Sequence, residues 1–348
     1  MVWRLHSLKA VPLGYTESKE SFRLPIPQFL RLAAHIQLLP VLENGEETLV
    51  GGQAVMEGVM MRAPHSYCVA VRKPNGEIVT DEAPLAKVPE KYPIFKYPIL
   101  RGVGTLGQAM RLGIKALQFS ANAALDEEDP KKESRQIPGW LMGLNLLFSF
   151  AFFIFLYKFV PLWLTTRLGA GHPELQGRIV FNAIDGLIRI VIFLGFLYTI
   201  SLWKDIRRVF EYHGAEHKVV FNFESGEPIT VANAQRFTTF HPRCGTSFLL
   251  VVMMISMAVY TLLPFDGFLA KFLSRVALLP VIAGLSYEII RFAARRRASL
   301  MAAFTAPGLW LQRITTKPPS DDQTAVAIRA LEGAMALEEA QGCRPEIA

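Results

Sequence analysis

Charge is scarce in this sequence. Only 19% of its 348 residues are Asp, Glu, Lys or Arg, and 51% are hydrophobic, whereas soluble domains carry about a quarter charged residues. The deficit is concentrated. No charge occurs from Ile137 to Tyr157 or from Cys244 to Phe265, each about the ~20 residues a helix needs to cross a bilayer. Cysteine is scarcer still. Cys68, Cys244 and Cys343 are odd in number and far apart, which excludes a disulfide framework and fits a reducing compartment. Residues 1–30 lack the apolar core of a signal peptide, because Arg4, Lys9, Glu17, Lys19, Glu20 and Arg23 are scattered through them. Insertion is therefore expected to be directed by internal helices. The lysine and hydroxyl of a Walker motif are missing, and no local Ser-His-Asp arrangement is present, so the phosphate-loop reading is excluded.

The positive charge that is present, +7 net, has a telling placement. Lys204, Arg207 and Arg208 follow one apolar stretch, and Arg291, Arg295, Arg296 and Arg297 follow another. Lys and Arg resist translocation, so such clusters mark cytoplasmic helix ends. Their position against apolar spans argues against a nucleic-acid partner. The pattern predicts a mainly α, polytopic membrane helix bundle with four transmembrane helices, at about 139–163, 181–203, 246–264 and 268–290. Both termini are expected on the cytoplasmic side of the plasma or inner membrane. The fourth span contains Lys271, Arg275 and a kinking Pro280 and rests on charge parity.

Residues 1–47 read as a poorly structured arm. Residues 48–98 read as a small cytoplasmic α/β element, with a glycine-punctuated bend at 51–62. A hairpin follows, its strands at Ser66–Lys73 and Glu77–Thr80 joined by Pro74-Asn75-Gly76. Residues 99–124 have helical apolar spacing but carry Arg101, Arg111 and Lys115, so they are expected to lie along the membrane surface or on the bundle. Asp126–Arg135 is a charged linker, and 204–245 a cytoplasmic loop. In the cytoplasmic segment 291–348, Pro307–Thr316 reads as irregular, and Ser320-Asp321-Asp322-Gln323 begins a capping-box helix.

Chemistry concentrates in His213-Gly214-Ala215-Glu216-His217. Histidines four apart share one helix face, and a carboxylate beside them can reach water at a shared metal. This is the H-x-x-E-H form of a zinc-peptidase signature. Catalytic zinc takes three protein ligands. His241 and Cys244 are the further candidates and, by topology, share the cytoplasmic side with His213 and His217. The plain alternative is that these are interfacial histidines and that Glu216 is merely solvated; Gly214 also weakens a helix. Asp185 and Arg189, four apart inside the second span, are either functional or an anchoring pair. Glu288 is a possible ligand or a partner of Arg291. Glu57, Arg62 and Arg243 are possible substrate-contacting or structural polar residues. Cys244 as a nucleophile is weaker than a metal or structural role.

Three segments resemble the YqhQ-like family of membrane proteins: Gly51-Gly52-Gln53-Ala54-Val55-Met56-Glu57-Gly58-Val59-Met60-Met61-Arg62, Tyr212-His213-Gly214-Ala215-Glu216-His217-Lys218 and His241-Pro242-Arg243-Cys244-Gly245-Thr246-Ser247-Phe248. Pro307-Gly308-Leu309, Gln312 and Thr315-Thr316 add to the likeness, which covers about residues 48–335. The resemblance implies a membrane protein described as a predicted metal-dependent enzyme. The expected function is accordingly a membrane-embedded metal-dependent hydrolase. His213, His217, His241 and Cys244 would hold a divalent metal, with zinc favoured, and Glu216 would act as general base. The lipid bilayer is the expected partner, and the substrate is expected to be lipid-linked or a membrane protein. The alternative is a non-catalytic membrane assembly factor with a structural metal or a polar His/Cys cluster. A transporter ranks third, because the first and third spans have almost no polar residues.

Overall fold

The computed structural model describes residues 50–86, 88, 92–125, 139–241, 244–295 and 298–342. The expected arm 1–47, the linker at 126–135, Arg243 and Cys343 lie outside the described residues. The chain is mainly helical, with one small sheet near its start. Strands β1 (Gly51–Val55), β2 (Gly58–Arg62), β3 (Ser66–Arg72) and β4 (Ile78–Pro84) pair antiparallel in sequence order. The expected hairpin is present as β3–β4. Gly76 adopts φ +91° in its turn, and Asn75 Oδ1 accepts the Glu77 N–H at 2.8 Å. The segment read as a bend at 51–62 is corrected to a second hairpin, β1–β2, with Val55 opposite Gly58. Its glycines leave too few side chains for a strand period to show, and pairing with β3 supplies the order instead.

The helices are α1 (Leu100–Leu125), α2 (Gly139–Ile154), a π-helical turn (Phe155–Phe159), α3 (Val160–Gly171), α4 (Arg178–Ser201), α5 (Lys204–Glu224), α6 (Val231–Gln235), α7 (Gly245–Leu262), α8 (Phe268–Ala277), α9 (Leu279–Arg295), α10 (Ala298–Thr315) and α11 (Asp321–Ala340). The central strands β2 and β3 are buried on both faces. Val59, Met61, Cys68 and Ala70 pack against Tyr212, Ala215 and Val219 of α5 and Leu331 of α11. Met60, Tyr67, Val69 and Val71 face Leu112, Ala116 and Ala123 of α1. Two covered faces explain why β2 and β3 lack polar alternation. Each fully buried Val, Leu or Met side chain contributes about 1.5–3 kcal/mol. The N-terminal sheet and the C-terminal helix thus form one core although most of the chain separates them.

Among the described residues, two helices are long and apolar enough to cross a membrane, Gly139–Gly171 and Arg178–Ser201. A third exists only if Phe268–Ala277 and Leu279–Arg291, bent by 53°, count as one broken span. The expected four spans are corrected to two or three. The third expected span forms α7, but its apolar part, Phe248–Leu262, is short of the ~20 residues a crossing takes. The fourth breaks beside Pro280, which has no N–H for the Val276 carbonyl and whose ring clashes with that carbonyl. Along α2, Trp140, Leu147, Phe148 and Phe150 are exposed, a surface that disfavours contact with water.

Inside the bundle the expected Asp185–Arg189 pair is present and is extended by Arg275 of α8, whose Nη1 lies 2.6 Å from Asp185 Oδ1. Pro307–Thr316, read as irregular, belongs to α10 with Pro307 inside the helix. Burial of Leu309, Leu311 and Gln312 overrides the local proline signal. The capping box is formed: Ser320 Oγ accepts the Gln323 N–H, and Gln323 Oε1 accepts the Ser320 N–H.

Cys68 is sealed in the sheet. Burial first, then Glu82, pushes its thiol up to about 12, which lowers its thiolate fraction about 10³-fold relative to an ordinary cysteine. Iodoacetamide at pH 8 should leave Cys68 unmodified in the folded protein and alkylate it after denaturation, as read by peptide mass spectrometry. Labelling at the free-thiol rate in the folded state would show that the sheet is not closed as described.

Candidate functional site

Helix α5 carries His213, Glu216, His217 and Val220 at the i, i+3, i+4, i+7 spacing that puts them on one face. That face lines a cavity of about 250 Å³ together with Gly51, Gly52, Gln53 and Arg62 of the sheet, Leu112 of α1, and His241 and Cys244. The expected loop 204–245 is therefore largely helix, buried on the sheet side. Gly214 sits within this helix because the strap between α10 and α11 crosses it: a Cβ there would collide with the Lys317 carbonyl oxygen, and the Lys317 N–H bonds the Phe210 carbonyl at 2.9 Å. Gly52 makes a similar allowance. A Cβ on it would stand 2.6 Å from Glu216 Cγ.

Each α5 histidine is held by a carbonyl from another segment. His213 Nδ1 lies 2.8 Å from the Thr315 carbonyl oxygen, and His217 Nδ1 lies 2.5 Å from that of Thr239. A carbonyl only accepts, so both Nδ1 atoms carry the hydrogen, and in a neutral ring Nε2 then keeps the lone pair a metal would use. His213 Nε2 is 3.2 Å from Cys244 Sγ. One ligand atom from each of His213, His217 and Cys244 lies within 4.8 Å of the others. Backbone-anchored imidazoles of this kind are the usual outer support of metal-bound histidine. Two histidines and a cysteine are a ligand set that zinc takes. A tetrahedral zinc with bonds of about 2.0–2.3 Å spaces its ligands by roughly 3.5 Å, so loading would draw the three slightly together. Burial, first of all, lowers the pKa of His217, with Cys244 opposing, and keeps it in the neutral form a metal takes.

Glu216 Oε2 lies 3.4 Å from His217 Nε2, beside the convergent donors. His241 does not join them. Its ring packs 5.5 Å from that of His217 and 4.4 Å from that of Phe221, and its Nε2 is 3.6 Å from Glu224. Burial pulls its pKa down to about 4. Its backbone is clamped by Gln312, which accepts the His241 N–H and donates to the His241 carbonyl, each at 2.7 Å.

The other candidates separate. Arg62 lines the cavity, and no acid pairs with it among the described residues; burial lowers its pKa. Glu57 points elsewhere. It sits at φ 52° in the β1–β2 turn and binds Arg208 at 2.6 Å and the Tyr212 hydroxyl at 3.3 Å. Glu288 is paired with Arg101 of α1 at 2.6 Å rather than with Arg291, and it is not among the convergent donors. Asp185 and Arg189 belong to the helix bundle. Sequence reasoning assigned no role to Gly52, Thr239, Thr315 or Gln312, whose roles come from tertiary contact; Gly52, Thr315 and Gln312 carried a signal in the family-like segments, and Thr239 carried none.

The family described as "Protein of unknown function (DUF1385)" matches residues 97–337. The chain belongs to the DUF1385 family. It is also 37% identical over 297 residues to "Uncharacterized protein YqhQ" of Bacillus subtilis (strain 168), covering 83% of this chain and 92% of the relative. No solved structure matches. The DUF1385 match takes in α5, Cys244 and Gln312, and the β1–β2 hairpin that closes the cavity lies ahead of it.

Gly214→Ala should destabilise this DUF1385 protein by about 1–3 kcal/mol, the range for forcing a methyl into packed space, because the obstruction is backbone. Thermal unfolding in detergent checks this. An unchanged midpoint would show that the α10–α11 strap does not press on α5.

Proposed function

We propose that the protein is an integral membrane, zinc-dependent hydrolase. One observation carries the reading. Two histidines, fixed through Nδ1 by backbone carbonyls, converge with Cys244 on a cavity that also contains Glu216, His213 Nε2 lying against Cys244 Sγ. His213, His217 and Cys244 are the proposed ligands, which leaves a fourth position toward the cavity, as catalytic zinc sites do. Zinc there would act as a Lewis acid and lower the pKa of bound water. Glu216 takes the proton from the attacking water, and Gly52 leaves the carboxylate room to do so. Arg62, without an acidic partner among the described residues, is available to an anionic group of the substrate. His241 orients the His217 side of the cavity, with Gln312 holding its backbone.

The apolar helices Gly139–Gly171 and Arg178–Ser201 support membrane insertion, and Lys204, Arg207 and Arg208 follow the second. By the charge rule, α5 and its cavity face the cytoplasm and both termini lie on that side. A site at this boundary suits a lipid-linked or membrane-protein substrate. An alternative with its own support is a structural metal: the cluster joins α5 to α7, and Thr315 ties it to α10, as an assembly factor would need.

Metal analysis of detergent-purified wild type, His217→Ala and Glu216→Gln, with complementation of a deletion strain, separates these readings. Wild type should carry about one zinc, His217→Ala should lose most of it, and Glu216→Gln should keep zinc but fail to complement. Metal-free wild type prepared without chelators would sink both metal readings. Full complementation by Glu216→Gln would leave only the structural one.

A further inference from the structure

The helix bundle holds a second polar centre, about 24 Å along α7 from Cys244 at 1.5 Å per residue. Lys158, Arg189 and Arg275 surround the Tyr260 ring at 5.2, 5.3 and 4.8 Å. All three are buried. Lys158 Nζ donates to the Tyr260 hydroxyl at 2.8 Å, and Arg189 Nη1 donates to Ser256 at 2.7 Å. Among the described residues Asp185 supplies the negative charge. It pairs with Arg189 and, at 2.6 Å, with Arg275, and no other carboxylate pairs with the three cations among the described residues. Arg189 Nε is buried without a hydrogen-bond partner. Two guanidinium groups, with the Lys158 amine beside them, thus share one carboxylate where charge is expensive to bury.

A small cavity reaches this centre from the α3–α4 and α7–α8 connections. Its volume is about 60 Å³, and its lining includes Arg178, Asn182, Lys271, Ser274 and Arg275. Arg275 is the link: one amino group bonds Asp185 and the other bonds Asn182 Oδ1 at 2.8 Å, while its side chain also borders the cavity. Lys271 lies over the Phe181 ring at 4.3 Å, and Arg178 is exposed at the rim. Asp266 is the one acid in the lining. At roughly 10–15 Å³ per water-sized group, the space suits four or five heavy atoms, the size of a phosphate.

We propose that this cavity binds one phosphate-type anion, contacted by Arg178 and Lys271 and balancing the excess positive charge behind Arg275. The ligand is either the phosphate of an anionic lipid headgroup or free phosphate. The site does not depend on the metal reading; only the lipid source depends on the bundle lying in a membrane.

The test uses full-length protein with both rim cations neutralised, Arg178→Gln together with Lys271→Gln, and leaves the buried Arg275 intact. Arg167→Gln, an exposed cation stacked on Trp163, is the control. Native mass spectrometry follows retention of phosphatidylglycerol against phosphatidylcholine, and thermal shift follows inorganic phosphate. Wild type and Arg167→Gln should bind one phosphatidylglycerol in preference to phosphatidylcholine, or be stabilised by phosphate, with affinity at least tenfold above the double variant. Competition between phosphate and phosphatidylglycerol identifies the headgroup as the source, and phosphate binding alone identifies an anion from solution. Equal binding by the double variant overturns the proposal, as does wild type that binds neither probe. Matching unfolding midpoints without ligand confirm that the double variant is folded.

Discussion

The confinement of helix α5 is the constraint on which the rest of the structure depends. One side of it supplies Tyr212, Ala215 and Val219 to the core shared with the sheet and α11. Another is crossed by the Lys317 backbone, which fits only because residue 214 is glycine. Once the helix is fixed between these surfaces, His213 and His217 have one direction left to point. Carbonyls from Thr315 and Thr239 then set their tautomers. A helix with this many charged and polar residues would otherwise be a solvated one, and its histidines would sample several rotamers. The packing exchanges that freedom for alignment, which is what a site requires of its supporting shell.

The same constraint links distant parts of the chain. The β1–β2 hairpin closes the cavity over α5, and α11 covers the same face of the sheet from the other end of the sequence. Arg208 on α5 holds Glu57 in a turn whose backbone is left-handed, so the hairpin is tied to the helix by charge as well as by apolar contact. Gln312 then fixes His241, bringing α10 into the same assembly. Damage to any one of these ties should be felt at the cavity.

The bundle obeys a different logic. Its outer surface is apolar and exposed along α2, and its interior contains a cluster of cations gathered around Tyr260. An aqueous domain usually reverses this arrangement. Such a cluster is compatible with a low-dielectric interior only if every charge is hydrogen-bonded, paired or balanced. Asp185 performs that task for two guanidinium groups at once.

Some of this was legible in the residues alone. The apolar runs announced helices with lipid-compatible surfaces, and Asn75-Gly76 and Ser320–Gln323 announced a turn and a helix start, because these signals act over a few residues. The histidine pair and Glu216 were legible through helical spacing, and the Asp185–Arg189 pair through the same rule. What the residues did not reveal was decided by contacts between remote segments. Cys244 rather than His241 meets the two histidines because α7 begins beside α5, while Gln312 clamps the His241 backbone. Glu288 meets Arg101, not Arg291, because α9 lies on α1. Arg275, read as a liability in a fourth span, is accommodated by Asp185 from another helix, and the span itself bends at Leu278, beside Pro280. Local sequence determined which elements form and which faces are apolar. Only the tertiary structure decided which polar groups share a site, since partners for buried charges and ligand atoms are chosen by proximity in space.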